Sequence, residues 1–138
     1  MIVNEIFDET NFDDLGWNDC RVYRFDVPDE DNQLKIDIDY IFKWEKGIDT
    51  YSGFWVSPCD LVFKGVNYLK VNLDFQNNMF LDILEIKRGN KRLSPNKAVY
   101  LWDYRIEFDN GCIQFTSSGF ELLVRKQPLL SESQDLGR

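Results

Sequence analysis

The most specific place for chemistry in this chain is Asp37-Ile38-Asp39. In an extended strand, residues two apart share a face, with their Cα atoms about 6.5–7 Å apart. Two carboxylates at that spacing can divide acid and base duty, as in inverting glycoside hydrolysis. With a third oxygen donor, for which Asp19 is the candidate, they can hold a hard cation. Catalytic carboxylates, however, flank a bond from opposite sides and need unlike environments, whereas these stand side by side. Nor does a compact loop supply the several oxygens that a hard cation takes. Lys35 and Lys43 fall on the same face, and a solvated polar strand face is the ordinary reason for such a pattern. The second place is Trp17-Asn18-Asp19-Cys20, where a large aromatic and a carboxylate enter a strand together. There the simpler roles are a plug at the open end of the core for Trp17 and a turn cap for Asp19. Trp17, Asp19, Asp37 and Asp39, with Trp55 from an aromatic strand further on, make up the candidate binding set. No catalytic group, metal-ligand set or cofactor motif is assigned.

Histidine is absent. Its absence removes the Ser-His-Asp and Cys-His arrangements, the usual general base and the commonest zinc ligand. There is no phosphate-cradling glycine loop and no dinucleotide fingerprint. The expectation is a protein that is not an enzyme. Cys20, Cys59 and Cys112 are far apart and odd in number. They read as buried small hydrophobes of a cytoplasmic, reducing compartment rather than a disulfide framework. The start, Met-Ile-Val-Asn-Glu-Ile-Phe-Asp-Glu, lacks the basic and then apolar character of a signal peptide, and no apolar run approaches a membrane span.

The formal charge of −8 is uneven. Residues 1–69 carry fifteen acidic against six basic side chains, and residues 70–138 carry nine against ten. An acidic half argues against general nucleic-acid binding, whose main attractive term is phosphate neutralisation, and it suits a basic protein partner. Lys87 to Lys97 holds five basic residues and no acid, the composition of a solvated hairpin tip.

These residues must be positioned by strands. Leu34 to Trp44 alternates apolar and polar residues for about eleven positions, long for a half-buried antiparallel strand. Further strands are read at 21–27, 51–58, 59–66, 68–75, 79–88 and 120–125, with Pro58 as a stop or edge marker. Pro28 to Asn32, Glu45 to Thr50, Gln76 to Asn78 and Gly89 to Pro95 are turns or loops. Asn110-Gly111 predicts a two-residue type I′ hairpin. That register sets Phe108 opposite Ile113 and Ile106 opposite Phe115, and places Trp102, Tyr104, Ile106 and Phe108 on one face with Ile113 and Phe115. Met1 to Gly16 reads as a short strand and loop, or one helical turn. Leu129 and Leu130 pin a polar tail, 129–138, that frays beyond them. With 43% hydrophobic and 15% aromatic residues, and turns about every ten residues, the chain is expected to be one all-β domain. It would be an antiparallel sandwich or barrel of about eight or nine strands with little or no helix.

Trp17-x-Asp19-Cys20, Asp37-Ile-Asp39-Tyr40-Ile41-Phe42-Lys43-Trp44, Phe54-Trp55-Val56-x-Pro58, Leu61-Val62-Phe63 and Arg125-x-x-Pro128 together resemble a family of small uncharacterised bacterial all-β proteins. The likeness spans most of the chain. Members often carry histidine where this chain has Asn18, a departure that speaks against catalysis here. In style the family is similar to immunity proteins of bacterial toxin systems. The resemblance therefore implies a non-catalytic protein-binding module, an immunity-type neutraliser whose acidic half covers a basic toxin surface, as monomer or homodimer. The competing expectation is a barrel that binds a small ligand or metal at its mouth through Tyr, Trp and Asp. A deep pocket joining Asp37, Asp39 and Trp17 would favour the barrel, and an open surface would favour the module.

Overall fold

The computed structural model describes residues 1–47 and 51–138, without the side chains of Tyr51 and Ser52. Among the described residues the regular secondary structure is nearly all strand: β1 Ile6–Asp8, β2 Arg21–Asp26, β3 Leu34–Lys46, β4 Tyr51–Lys64, β5 Asn67–Leu73, β6 Leu81–Leu93, β7 Tyr100–Phe108, β8 Gly111–Ser117, β9 Gly119–Val124 and β10 Leu129–Ser131. Among the described residues there is one 3-10 turn, Glu9–Asp14, which follows β1 and is capped by the Asp8 carboxylate, an acceptor for the Thr10 amide.

All described pairings are antiparallel, in the order β1-β9-β4-β3-β2-β6-β7-β8-β5, with β10 beside β4. The path does not close, so the architecture is sandwich-like rather than a barrel. A front sheet (β1, β9, β4, β3, β2) meets a back sheet (β6, β7, β8, β5) where Arg21 and Val22 pair with Asp82 and Leu81. Alternating side chains put one face of each sheet into a common core. Phe63 of β4 lies 5.0 Å from Tyr104 of β7 and 4.7 Å from Phe115 of β8, ring centre to ring centre. Among the described residues no helix is long and apolar enough to cross a membrane.

The structure departs from the sequence-based expectation in several places. The two strands expected on either side of Pro58 are one, β4, with Pro58 opposite Asp39 of β3. The Pro58 carbonyl accepts from the Arg125 amide, on the edge where β9 hands over to β10. The missing amide of Pro58 therefore faces that gap, and β3 loses no donor. The loop expected over 89–95 is mostly strand, since β6 runs to Leu93. Of the connection expected over 45–50, Glu45 and Lys46 belong to β3, and 48–50 lie outside the described residues. In the strand read at 68–75 the alternation of Leu69, Val71, Leu73 and Phe75 with polar residues would put all four inside, but Val71 and Phe75 are exposed, and a register shift after Asn67 accompanies them.

The hairpin register also differs. Phe108 faces Gly111, Ile106 faces Ile113 and Tyr104 faces Phe115, so the turn is centred on Asp109-Asn110. The slip is an even number of residues, which leaves the expected core face intact: Tyr104, Ile106, Phe108, Ile113 and Phe115 are all buried. Gly111 serves close approach instead. Its φ is +139°, and a Cβ there would lie 2.0 Å from the Asn72 carbonyl oxygen of β5. The Asn110 side-chain amide donates to the Asn78 carbonyl oxygen at 2.7 Å, and the Asn110 backbone carbonyl accepts from the Asp74 amide. Asn110 thus clamps the β5–β6 connection rather than supplying a left-handed turn.

The 129–138 tail does not fray. Leu129, Leu130 and Ser131 pair with Val56, Trp55 and Phe54, and the residues after them lie back across β2 and β3.

Candidate functional site: an aspartate pair that grips a guanidinium

Three strands and the returning tail build the site. Asp37 and Asp39 project from the middle of β3, whose ladders to β2 and β4 fix their spacing. On β2 the register shifts between Val22 and Arg24, which makes Tyr23 the extra residue of a bulge. Bulges bend a strand and re-aim a side chain. Here the Tyr23 hydroxyl donates to Asp39 Oδ2 at 2.5 Å. Arg125, just past β9, donates to Asp37 Oδ1 at 2.7 Å and lies 3.4 Å from Asp60.

Arg138 lies across this frame. Its Nε donates to Asp39 Oδ1 at 3.0 Å, Nη1 to Asp37 Oδ2 at 3.1 Å, and Nη2 to Asp37 Oδ1 at 2.8 Å and to the Ile38 carbonyl oxygen at 3.0 Å. The Tyr23 ring covers one face of the guanidinium, 4.2 Å from centroid to Cζ. This is forked, stacked recognition of a planar cation, stronger than a point contact. The Leu136 amide also donates to Asp39 Oδ2, at 2.7 Å.

Asp39 is 0% exposed, contrary to the solvated face expected of it. The reason is remote in sequence: residues 136 and 138 cover the carboxylate and satisfy its oxygens. Burial raises the Asp37 carboxyl, but the hydrogen bonds and charge of Arg138, with the charge of Arg125, outweigh that and hold it below the ordinary carboxylate value. Burial, and then the bond to Asp39, push the Tyr23 phenol up to about 12, so it stays protonated as a donor. Burial works against the Arg138 cation, yet Asp37 and Asp39 raise its pKa above the usual arginine value.

The other candidate residues divide. Asp19 stands at the rim, in a left-handed turn with φ +67°, and accepts from the Gln134 side chain at 3.1 Å. Trp17 is in the core, edge-on to Tyr40 at 5.5 Å and to Phe120 at 5.8 Å. Trp55 donates to Glu45 Oε1 at 2.9 Å; it lies five residues along β4 from Asp60, the partner of Asp37, or about 17 Å in an extended strand. The structure therefore joins Asp37 and Asp39 at the centre, keeps Asp19 at the edge, and leaves Trp17 and Trp55 elsewhere. Among the described residues no three His, Cys, Asp or Glu side chains group as metal ligands. Tyr23, Arg125 and Arg138 were not anticipated. The available signal was an aspartate pair on one strand face with only two lysines beside it.

Open grooves flank the clasp. One, about 580 Å³, runs over the outer face of the front sheet past Asp37, Asp60, Lys64, Glu121 and Arg125. The other, about 440 Å³, is walled by Tyr23, Gly137 and Arg138 on one side and Phe75, Met79 and Phe80 on the other. Neither joins Trp17 to the aspartates. Comparison with protein-family models, with curated proteins and with solved structures gave no match to this chain.

Proposed function

We propose that this protein is a non-catalytic protein-binding module, an immunity-type neutraliser that acts by covering a basic partner. The observation that carries the reading is the Asp37–Asp39 pair holding a guanidinium on an open sheet face between two grooves. An enclosed cavity suits a small ligand, whereas an open face with a charged anchor and neighbouring aromatic surface suits a macromolecule. Asp13, Asp14, Asp29, Glu30 and Asp31 add exposed negative charge, which would speed encounter with a basic surface and discriminate against acidic ones. The mechanism is occlusion, with affinity concentrated in the anchor and the rest of the face excluding water.

The test is affinity capture by the tagged protein from lysate of its source organism, read by mass spectrometry. The expected result is one stoichiometric basic partner whose binding weakens steeply as salt screens the charges, and weakens again when Asp13 and Asp14 are both changed to Asn. A partner of acidic surface, or one held equally at low and high salt, would overturn the reading.

A further inference from the structure

We propose that the Asp37–Asp39–Tyr23 site is a receptor for an arginine side chain of the partner, and that the chain's own 132–138 segment is its resident competitor. This rests on the protein-binding reading above and names the group that the face would take.

The receptor half is built without the tail. Asp37 and Asp39 are set by the β3 ladders, Tyr23 by its bulge, and Arg125 already orients the Asp37 carboxylate. With Arg138 removed, Arg125 remains as the shared counter-charge of Asp37 and Asp60, and Asp39 loses the cation it is paired with. The net charge of the empty site is therefore negative, and it must be refilled by a cation or by water. Its shape selects which cation. Two carboxylates two residues apart, the intervening Ile38 carbonyl and an aromatic face match the edge and plane of a guanidinium. An ammonium has neither the fork nor the plane.

The occupant half is held outside its arginine by Leu136, which packs partly buried against the core, and by few polar contacts. Beyond Ser131 no residue of the tail joins a sheet ladder. Its polar attachments outside the arginine are the Gln134 side chain on Asp19, the Leu136 amide on Asp39, and a 3.7 Å ion pair between Asp135 and Arg21. The remaining bonds are short turns within the tail, such as the Gly137 amide on Asp135 Oδ1. The segment can therefore lift without breaking a strand pairing. Lifting would take Gly137 and Arg138 out of the wall of the second groove, giving room to the residues that flank an incoming arginine. A tethered occupant competes at an effective concentration on the order of millimolar. An arginine from outside would then bind with its intrinsic affinity reduced by the fraction of molecules whose site is open.

The experiment uses the full chain and a fluorescent peptide, Glu-Ser-Gln-Asp-Leu-Gly-Arg, which copies residues 132–138. Binding is followed by anisotropy to the wild type, to Arg138→Ala and to Arg138→Lys, with circular dichroism to confirm that each variant is folded. The expected result is binding to both variants at least tenfold tighter than to the wild type. A peptide carrying lysine in place of its arginine is expected to lose at least tenfold, and adding Asp37→Asn to Arg138→Ala to abolish binding. Equal affinity for wild type and variants, equal affinity for arginine and lysine peptides, or no binding to either folded variant would overturn the proposal. A basic partner captured equally by wild type, Arg138→Ala and Asp37→Asn would sink the arginine receptor and leave the module standing. Peptide binding as expected without any basic partner would do the reverse.

Discussion

Replacing Arg138 by alanine strands the Asp39 carboxylate, which is 0% exposed, with two donors and no counter-charge. For a buried pair that cannot rearrange, removing one partner costs about 3–5 kcal/mol. This pair can rearrange, because the cover over Asp39 is the tail itself. Once the tail lifts, water reaches the carboxylate and the penalty stops growing. The loss of global stability is therefore capped at the free energy of docking. That free energy is set by charge-assisted bonds, each about 1.5–3 kcal/mol when well buried. They are weaker here because the Arg138 side chain is 31% exposed, which gives about 2 kcal/mol in all. Urea unfolding of wild type and Arg138→Ala measures the global term. Hydrogen exchange at the Leu136 amide measures the local one, and it should accelerate at least tenfold while amides of β3 and β4 keep their protection. A global loss of 4 kcal/mol or more would refute the reasoning, since it would mean that the tail cannot lift. So would an unchanged Leu136 amide, since the arginine would then not be what holds the tail.

The remaining predictions concern the frame. The pKa of Asp37 is lower folded than unfolded, so its stabilising contribution is present above the ordinary carboxylate value of about 3.9 and is lost as pH falls through the folded value. Asp37→Asn should remove that step from an acid titration of tail protection, and an unchanged profile would count against the clasp. Tyr23→Phe keeps the ring under Arg138 but deletes the bond to Asp39, and should cost about 1.5–3 kcal/mol in urea unfolding. Its raised pKa, about 12, has the opposite sign: wild-type stability should decline as pH rises from the unfolded value near 10 towards 12, and a tyrosinate absorbance step at 10 that is present in the native wild type and missing from native Tyr23→Phe would contradict the placement. Gly111→Ala should cost about 3 kcal/mol or more, because φ +139° and the 2.0 Å approach to Asn72 both exclude a Cβ, whereas Gly16→Ala, with nothing within 4 Å, should stay within about 0.5 kcal/mol. Burial pushes the Cys20 and Cys59 thiols to about 12, so both should be silent to a thiol reagent at neutral pH in the native protein and react on unfolding; rapid native-state labelling of either would be inconsistent with the core described above.

What the sequence disclosed and what it withheld follow from range. The alternation through Leu34 to Trp44 is a local signal, and it foretold the long β3 and its buried row of Leu34, Ile36, Ile38 and Tyr40. The even slip at Asp109-Asn110 kept the hairpin's faces while changing its turn, because side-chain period survives a shift of two and turn geometry does not. Pro58 misled because its effect depends on what lies along one edge of β4, a matter settled by residues 124 to 129. The aspartate pair was legible as a pair. Its burial was not, since the cover comes from about a hundred residues away. Trp17 fills the core, the simpler role expected of it, although its place beside Asp19 also put it in the candidate binding set.

The front sheet is closed late in the life of a growing chain. One edge of β4 is covered by β9 and β10, residues 119 to 131, while β1 at residues 6 to 8 waits for β9 to arrive before it has a strand to pair with among the described residues. Until residue 131 has emerged, the edge running from Phe54 through Phe63 offers unpaired amides and carbonyls beside large apolar side chains. Sheets joined over such sequence distances nucleate slowly, and a bare edge of that kind is where a neighbouring chain can add. A nascent or truncated molecule that lacks β9 and β10 should thus be the aggregating and chaperone-dependent species.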